Sequence, residues 1–125
     1  SPEHPDIMFG MDVRSDSLPE NVLETAQALW QTGKARDALS LLYRSALIQL
    51  INHEQLALKQ SHTEGDILKL SKAELAKTRQ EYFQQLTKLW VQIAYAHQAP
   101  KETEMQHLFN RWESDFAGAA ADVSA

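Results

Sequence analysis

The chain has 125 residues, 43% of them hydrophobic and 23% charged, with 12 Lys and Arg against 17 Asp and Glu, a formal net charge of −5. That length suits one domain with its own core. The acidic balance, with no basic stripe, argues against a nucleic-acid partner, and the absence of cysteine removes disulfides, thiolate catalysis and cysteine-held metals. Only four glycines and four prolines interrupt the chain, which leaves room for long helices. The apolar runs fall well short of the roughly 20 residues that cross a bilayer. Ser1-Pro2-Glu3-His4-Pro5 lacks signal-peptide character and no initiator methionine is present, so the chain reads as part of a longer protein, with a membrane segment upstream permitted.

Residues 1–16 show no sustained periodicity and carry an apolar knot of Ile7, Met8, Phe9, Met11 and Val13. They are expected to form an extended arm, with the knot packed on the domain or serving as a tether. Ser17-Leu18-Pro19-Glu20 has the spacing of a capping box, which places the start of a first helix there. Val22, Leu23, Ala26, Leu29 and Trp30 then recur at helical intervals until Gly33 supplies a left-handed stop. From Ala35 a second helix carries Ala38, Leu39, Leu42, Tyr43, Ala46, Leu47, Leu50 and Ile51, a stripe broad enough for a central helix.

Thr63 is the expected N-cap of a third helix, with Glu64 and Asp66 in the dipole-favoured first turn. Ser71 and Glu74 repeat the capping-box spacing, so this helix either ends there or continues into the next. The fourth helix carries Tyr82, Phe83, Leu86, Leu89, Trp90, Ile93 and Ala94 and should end near Gln98. Pro100 suits the first turn of a fifth helix bearing Met105, Leu108, Phe109, Trp112 and Phe116. The expectation is an all-α bundle of about five helices without a sheet, spanning residues 17–117 and followed by a fraying tail at 118–125.

The segment around Ala26, Leu29, Gly33, Ala38 and Leu42 resembles one tetratricopeptide unit, with small residues where its two helices cross. Ser45 departs from the usual alanine, and no second unit follows at a 34-residue period. A longer resemblance rests on Phe9-Gly10-Met11-Asp12-Val13-Arg14, Ser17-Leu18-Pro19, the stretch from Ala38 to Leu47, Thr63-Glu64-Gly65-Asp66, and Trp90-Val91-Gln92-Ile93-Ala94-Tyr95-Ala96. These look like a bacterial domain of unknown function found at the C-terminus of transglutaminase-like membrane proteins and of shorter membrane proteins. The resemblance implies a position on the cytoplasmic side of the bacterial inner membrane. It also implies a MoxR-type AAA+ ATPase or von Willebrand factor A protein as partner, and it carries no catalytic residues over. The glutamyl-transfer label of that family needs a cysteine nucleophile, which this chain lacks.

Chemical constellations are sparse. Glu104 and His107 have an E-x-x-H spacing, but a di-iron bundle needs a second copy and two further glutamates. His53-Glu54 and His62 with Glu64 and Asp66 sit around a loop where polar groups are expected anyway. Ser61, His62 and Asp66 hold the letters of a hydrolase triad, yet they are too close in sequence to converge. Arg44 interrupts the apolar stripe of the second helix, so it must reach solvent, pair with Glu64 or Asp66, or serve recognition. Trp112 and Phe116 complete the core of the last helix or, if exposed, anchor an interface. The candidate partner-binding residues are therefore Arg44, Glu64, Asp66, Trp112 and Phe116, with no catalytic, cofactor or metal residues. The function expected is a non-enzymatic protein-interaction module, the alternative being a regulatory domain that senses a small ligand or metal.

Overall fold

The computed structural model describes residues 4–118, so the expected tail lies from residue 119 onward outside the described residues. The N-terminal residues form a hairpin, β1 (Ile7–Met8) and β2 (Met11–Asp12), in which Met8 faces Met11 and Ile7 faces Asp12. This corrects the expectation of an extended arm and of a fold without a sheet. Phe9 and Gly10 both adopt left-handed φ values, 53° and 74°, the backbone that a two-residue turn of the hairpin hand requires. A pair of strands this short is marginal alone. It holds because Met8, Met11 and Val13 share one face and are buried against the helices, while Ile7 on the other face is half exposed.

A single 3₁₀ turn, Ser15–Ser17, leads to α1, Val22–Gln31. The helix does not start at Ser17. Leu18 is extended at ψ 146°, as the residue before a proline is driven to be, and the Ser17 hydroxyl donates to the Arg14 carbonyl at 2.6 Å. Asn21 caps α1 instead, its Oδ1 accepting the Glu24 N–H at 3.0 Å. Gly33 turns the chain at φ 80° into α2, Ala35–Asn52, and Ala26 and Ala38 are fully buried in this hairpin of helices.

Thr63 caps α3, Glu64–Glu74, through a reciprocal box with Asp66. Ser71 stays inside α3 with its hydroxyl donated to the Leu68 carbonyl, and the break falls later, at Leu75. The next helix, α4, runs Lys77–Ala96 and stops at His97, which takes the left-handed conformation. The last helix, α5 (Glu102–Arg111), begins one residue after its N-cap, Lys101, whose N–H donates to Glu104 Oε1 at 2.8 Å. Pro100 thus precedes the cap rather than lying in the first turn. Past Arg111 the helix widens into a π-helical turn, Trp112–Ala117.

Helix α2 is the hub, packed against α1, against α4 and against β2. At its centre the fully buried Tyr43 ring stacks on Phe83 at 5.8 Å and on Trp90 at 5.7 Å, with Phe9 tilted beside it at 6.1 Å. Its hydroxyl is buried and makes no hydrogen bond among the described residues. Burial, and secondarily the Glu64 charge, pushes this phenol far above its ordinary pKa, so it stays neutral. Tyr43→Phe should therefore leave stability unchanged or raise it by up to about 1 kcal/mol, since an unpaired buried hydroxyl is lost with its ring contacts kept. Tyr43→Leu should lower it by about 2–3 kcal/mol by removing the stacked ring. Urea denaturation reads both, and a Phe variant as damaged as the Leu variant would contradict this account of the hydroxyl.

Candidate functional site

Arg44 does not meet Glu64 or Asp66, as the sequence suggested. It follows Tyr43 by one residue and so points roughly 100° further round α2, where it meets the N-terminal segment. Its Nη1 donates to Ser17 Oγ at 2.8 Å, to the Asp12 carbonyl at 3.3 Å and to the Ser17 carbonyl at 3.5 Å. The Asp12 carboxylate is committed elsewhere: Arg14 reaches both of its oxygens, at 2.6 and 3.0 Å, and adds its backbone N–H. These bonds hold the Asp12 carboxyl well below the usual carboxylate range. Among the described residues, Arg44 forms no ion pair and its Nε and Nη2 make no hydrogen bond.

The guanidinium lines a pocket of about 430 Å³ between the 3₁₀ turn, α1 and α2. Leu18, Pro19, Leu29 and Leu41 give it apolar walls, and Thr25, Asp37 and Ser40 add polar atoms. Positions 37, 40, 41 and 44 share one face of α2 by helical spacing, so the pocket follows from the same periodicity that builds the core.

Glu64 lies elsewhere, at the start of α3, and is only 8% exposed. Its Oε2 accepts the Trp90 indole N–H at 3.2 Å and the Tyr95 hydroxyl at 2.7 Å. The bond to this carboxylate, helped by burial, pushes the Tyr95 phenol above its ordinary pKa. Glu64 borders a cleft of about 690 Å³ between α3 and α4. Asp66 is exposed and serves the helix cap, accepting the Thr63 N–H at 3.0 Å while its own N–H donates to Thr63 Oγ1. The Thr63 backbone N–H, and after it the Thr63 hydroxyl, hold the Asp66 carboxyl below the usual range.

Trp112 and Phe116 are 3% and 0% exposed, which withdraws them as surface anchors. Both turn inward, onto Tyr82, and Phe116 also reaches Phe83. Arg79, which sequence reasoning passed over, is 4% exposed with its guanidinium 4.3 Å from the Phe116 ring centre. Its Nη1 lies 3.1 Å from Glu54, and its Nη2 donates to Gln49 at 3.3 Å. A signal existed: Arg79 occupies the apolar stripe of α4 one turn before Tyr82 and Phe83, where only a paired arginine is tolerated.

Ser61, His62 and Asp66 are not linked by any hydrogen bond among the described residues; His62 Nδ1 accepts the Lys59 N–H and Asp66 serves Thr63. Glu104 likewise is spent on the α5 cap. No group of three or more His, Asp or Glu among the described residues could hold a metal ion. No helix among them is long and apolar enough to cross a membrane.

The lowered Asp66 carboxyl carries a pH signature. A carboxyl depressed in the fold stabilises above its unfolded pKa, and the contribution disappears as pH falls through the folded value. Wild type should therefore melt above Asp66→Asn at neutral pH, and the gap should begin to narrow near about pH 4, the unfolded carboxyl pKa, and close as pH falls through the lower folded value. Melting curves from neutral to acid pH check this, and a gap independent of pH would contradict it. In comparisons with protein-family models, with curated proteins and with solved structures, nothing matches this chain.

Proposed function

We propose that this chain is a non-catalytic protein-interaction module that receives a carboxylate of its partner in the Arg44 pocket. One observation carries the reading: a half-buried guanidinium held by one nitrogen on neutral oxygens, with no ion pair among the described residues, in a pocket whose walls are apolar apart from Thr25, Ser40 and the Asp37 carboxylate. Fixing Nη1 on Ser17 orients the planar fork, and the remaining Nε and Nη2 edge matches the two oxygens of a carboxylate. An apolar side chain beside that carboxylate would lie against Leu18, Leu29 and Leu41. The pocket is prepared before any partner arrives, which lowers the entropy cost of docking.

The setting proposed for the module is the cytoplasmic side of a bacterial inner-membrane protein, with a MoxR-type AAA+ ATPase or a von Willebrand factor A protein as partner. This part rests on the sequence resemblance alone. Its expected test is affinity capture from bacterial lysate by the wild-type chain and by Arg44→Lys. Lysine keeps the charge but loses the fork, so capture of the identified ATPase or von Willebrand factor A protein should fall at least about tenfold. Folding should survive at a cost of about 1 kcal/mol, the scale of one hydrogen bond. Equal capture by the two chains would overturn the assignment of Arg44.

A further inference from the structure

We infer that the cleft between α3 and α4 is a binding site for a primary ammonium group attached to apolar carbons, with Glu64 as its counter-ion. The site is separate from the Arg44 pocket, and neither depends on the other. A carboxylate as buried as Glu64 is costly unless a cation or several donors compensate it. Here Oε2 takes both neutral donors, Trp90 and Tyr95, and Oε1 makes no hydrogen bond among the described residues. No lysine, arginine or histidine among those residues pairs with Glu64. The indole and the phenol therefore fix the carboxylate rigidly while leaving one oxygen for a ligand.

The cleft fits that ligand in size and lining. Its volume of about 690 Å³ lies in the range of small-molecule sites. Leu68 from α3 and Val91 from α4 are half-buried in its wall, suited to a short hydrocarbon. The side-chain amides of Gln84, Gln85 and Gln92 border it and can accept the remaining ammonium N–H groups. Glu81 and Lys88 both stand at the cleft and offset one another, so the Glu64 carboxylate is the remaining charge of its lining. Two sources carry this chemistry, a free amine and the lysine side chain of another protein.

The test uses the full chain labelled with ¹⁵N, reading the Trp90 indole N–H, which bonds directly to Glu64. Isoamylamine is the probe, with isoamyl alcohol and isovalerate as uncharged and anionic controls of the same shape. The amine should shift the indole signal saturably, and the controls should not. Glu64→Gln preserves an acceptor for Trp90 and Tyr95 while removing the charge, and should weaken the amine at least about tenfold. Val91→Trp fills the cleft while leaving the Glu64 side chain unsubstituted and should abolish the shift, which keeps the test decisive should the Glu64 variant not fold. A blocked lysine, acetylated and amidated, separates the sources: preference for it assigns a partner's lysine, and preference for isoamylamine assigns a free amine. An alcohol that shifts the signal as the amine does, or amine binding unchanged in either variant, would overturn the inference.

Discussion

The Tyr43 ring, stacked between Phe83 and Trp90, sets the geometry on which the rest of this structure depends. It fixes how α4 lies on α2, because offset rings at such separations tolerate little sliding in a packed core. Phe9 rests on the same ring and docks the N-terminal hairpin onto α2. Phe83 passes the contact on to Phe116, and Phe116 to Tyr82 and Trp112, so one aromatic spine runs from the hairpin to the last turn. The buried phenol at its centre is tolerated because the ring contacts outweigh one unpaired hydroxyl.

Both candidate sites are by-products of that spine. Trp90 offers its π-face to Tyr43 and its N–H to Glu64, so the stack that orders the core also orients the carboxylate of the α3/α4 cleft. Arg36 sits over the same indole, 5.5 Å from its ring, and donates to the Ala94 carbonyl, closing the end of α4. On the other side of α2, the hairpin that Phe9 anchors supplies the Asp12 carbonyl, and the turn after it supplies Ser17, the two groups that steady Arg44. Each site thus pairs one charged side chain with neutral partners. Arg79 differs, its charge being met internally by Glu54, Gln49 and the Phe116 ring.

Much of this fold was legible in the sequence wherever the signal was periodic or stereochemical. The stripes from Ala38 to Ile51 and from Tyr82 to Ile93 fall on the two helices that share the core, Gly33 turns the chain, and Thr63 caps α3. The hairpin was not legible, because two strands of two residues offer too few positions for an alternation to register. The start of α1 was misplaced for a local reason: Pro19 extends Leu18, and this overrides the capping spacing of Ser17 and Glu20. The sites fared differently. Arg44 and Glu64 stood out as polar groups near apolar stripes, but their partners depend on how separate elements are rotated against one another. Sequence spacing does not encode that rotation, so the sequence leaves solvent, Glu64 or Asp66, or a recognition role open for Arg44 and does not point to Ser17. Trp112 and Phe116 are drawn inward by Tyr82 and Phe83 across the π-helical turn, whose widened spacing leaves no signature in residue type.

The N-terminal hairpin belongs to the folded core and steadies Arg44 through the Asp12 carbonyl. Native-state hydrogen exchange tests this most directly, following the Val13 amide, which bonds to the Asp6 carbonyl, beside amides within α2. The Val13 amide should be protected in wild type and lose protection in Phe9→Ala, while α2 keeps its own. Free exchange of Val13 in the wild-type chain would contradict the account, since the hairpin would then be too loosely held to position Ser17 against Arg44.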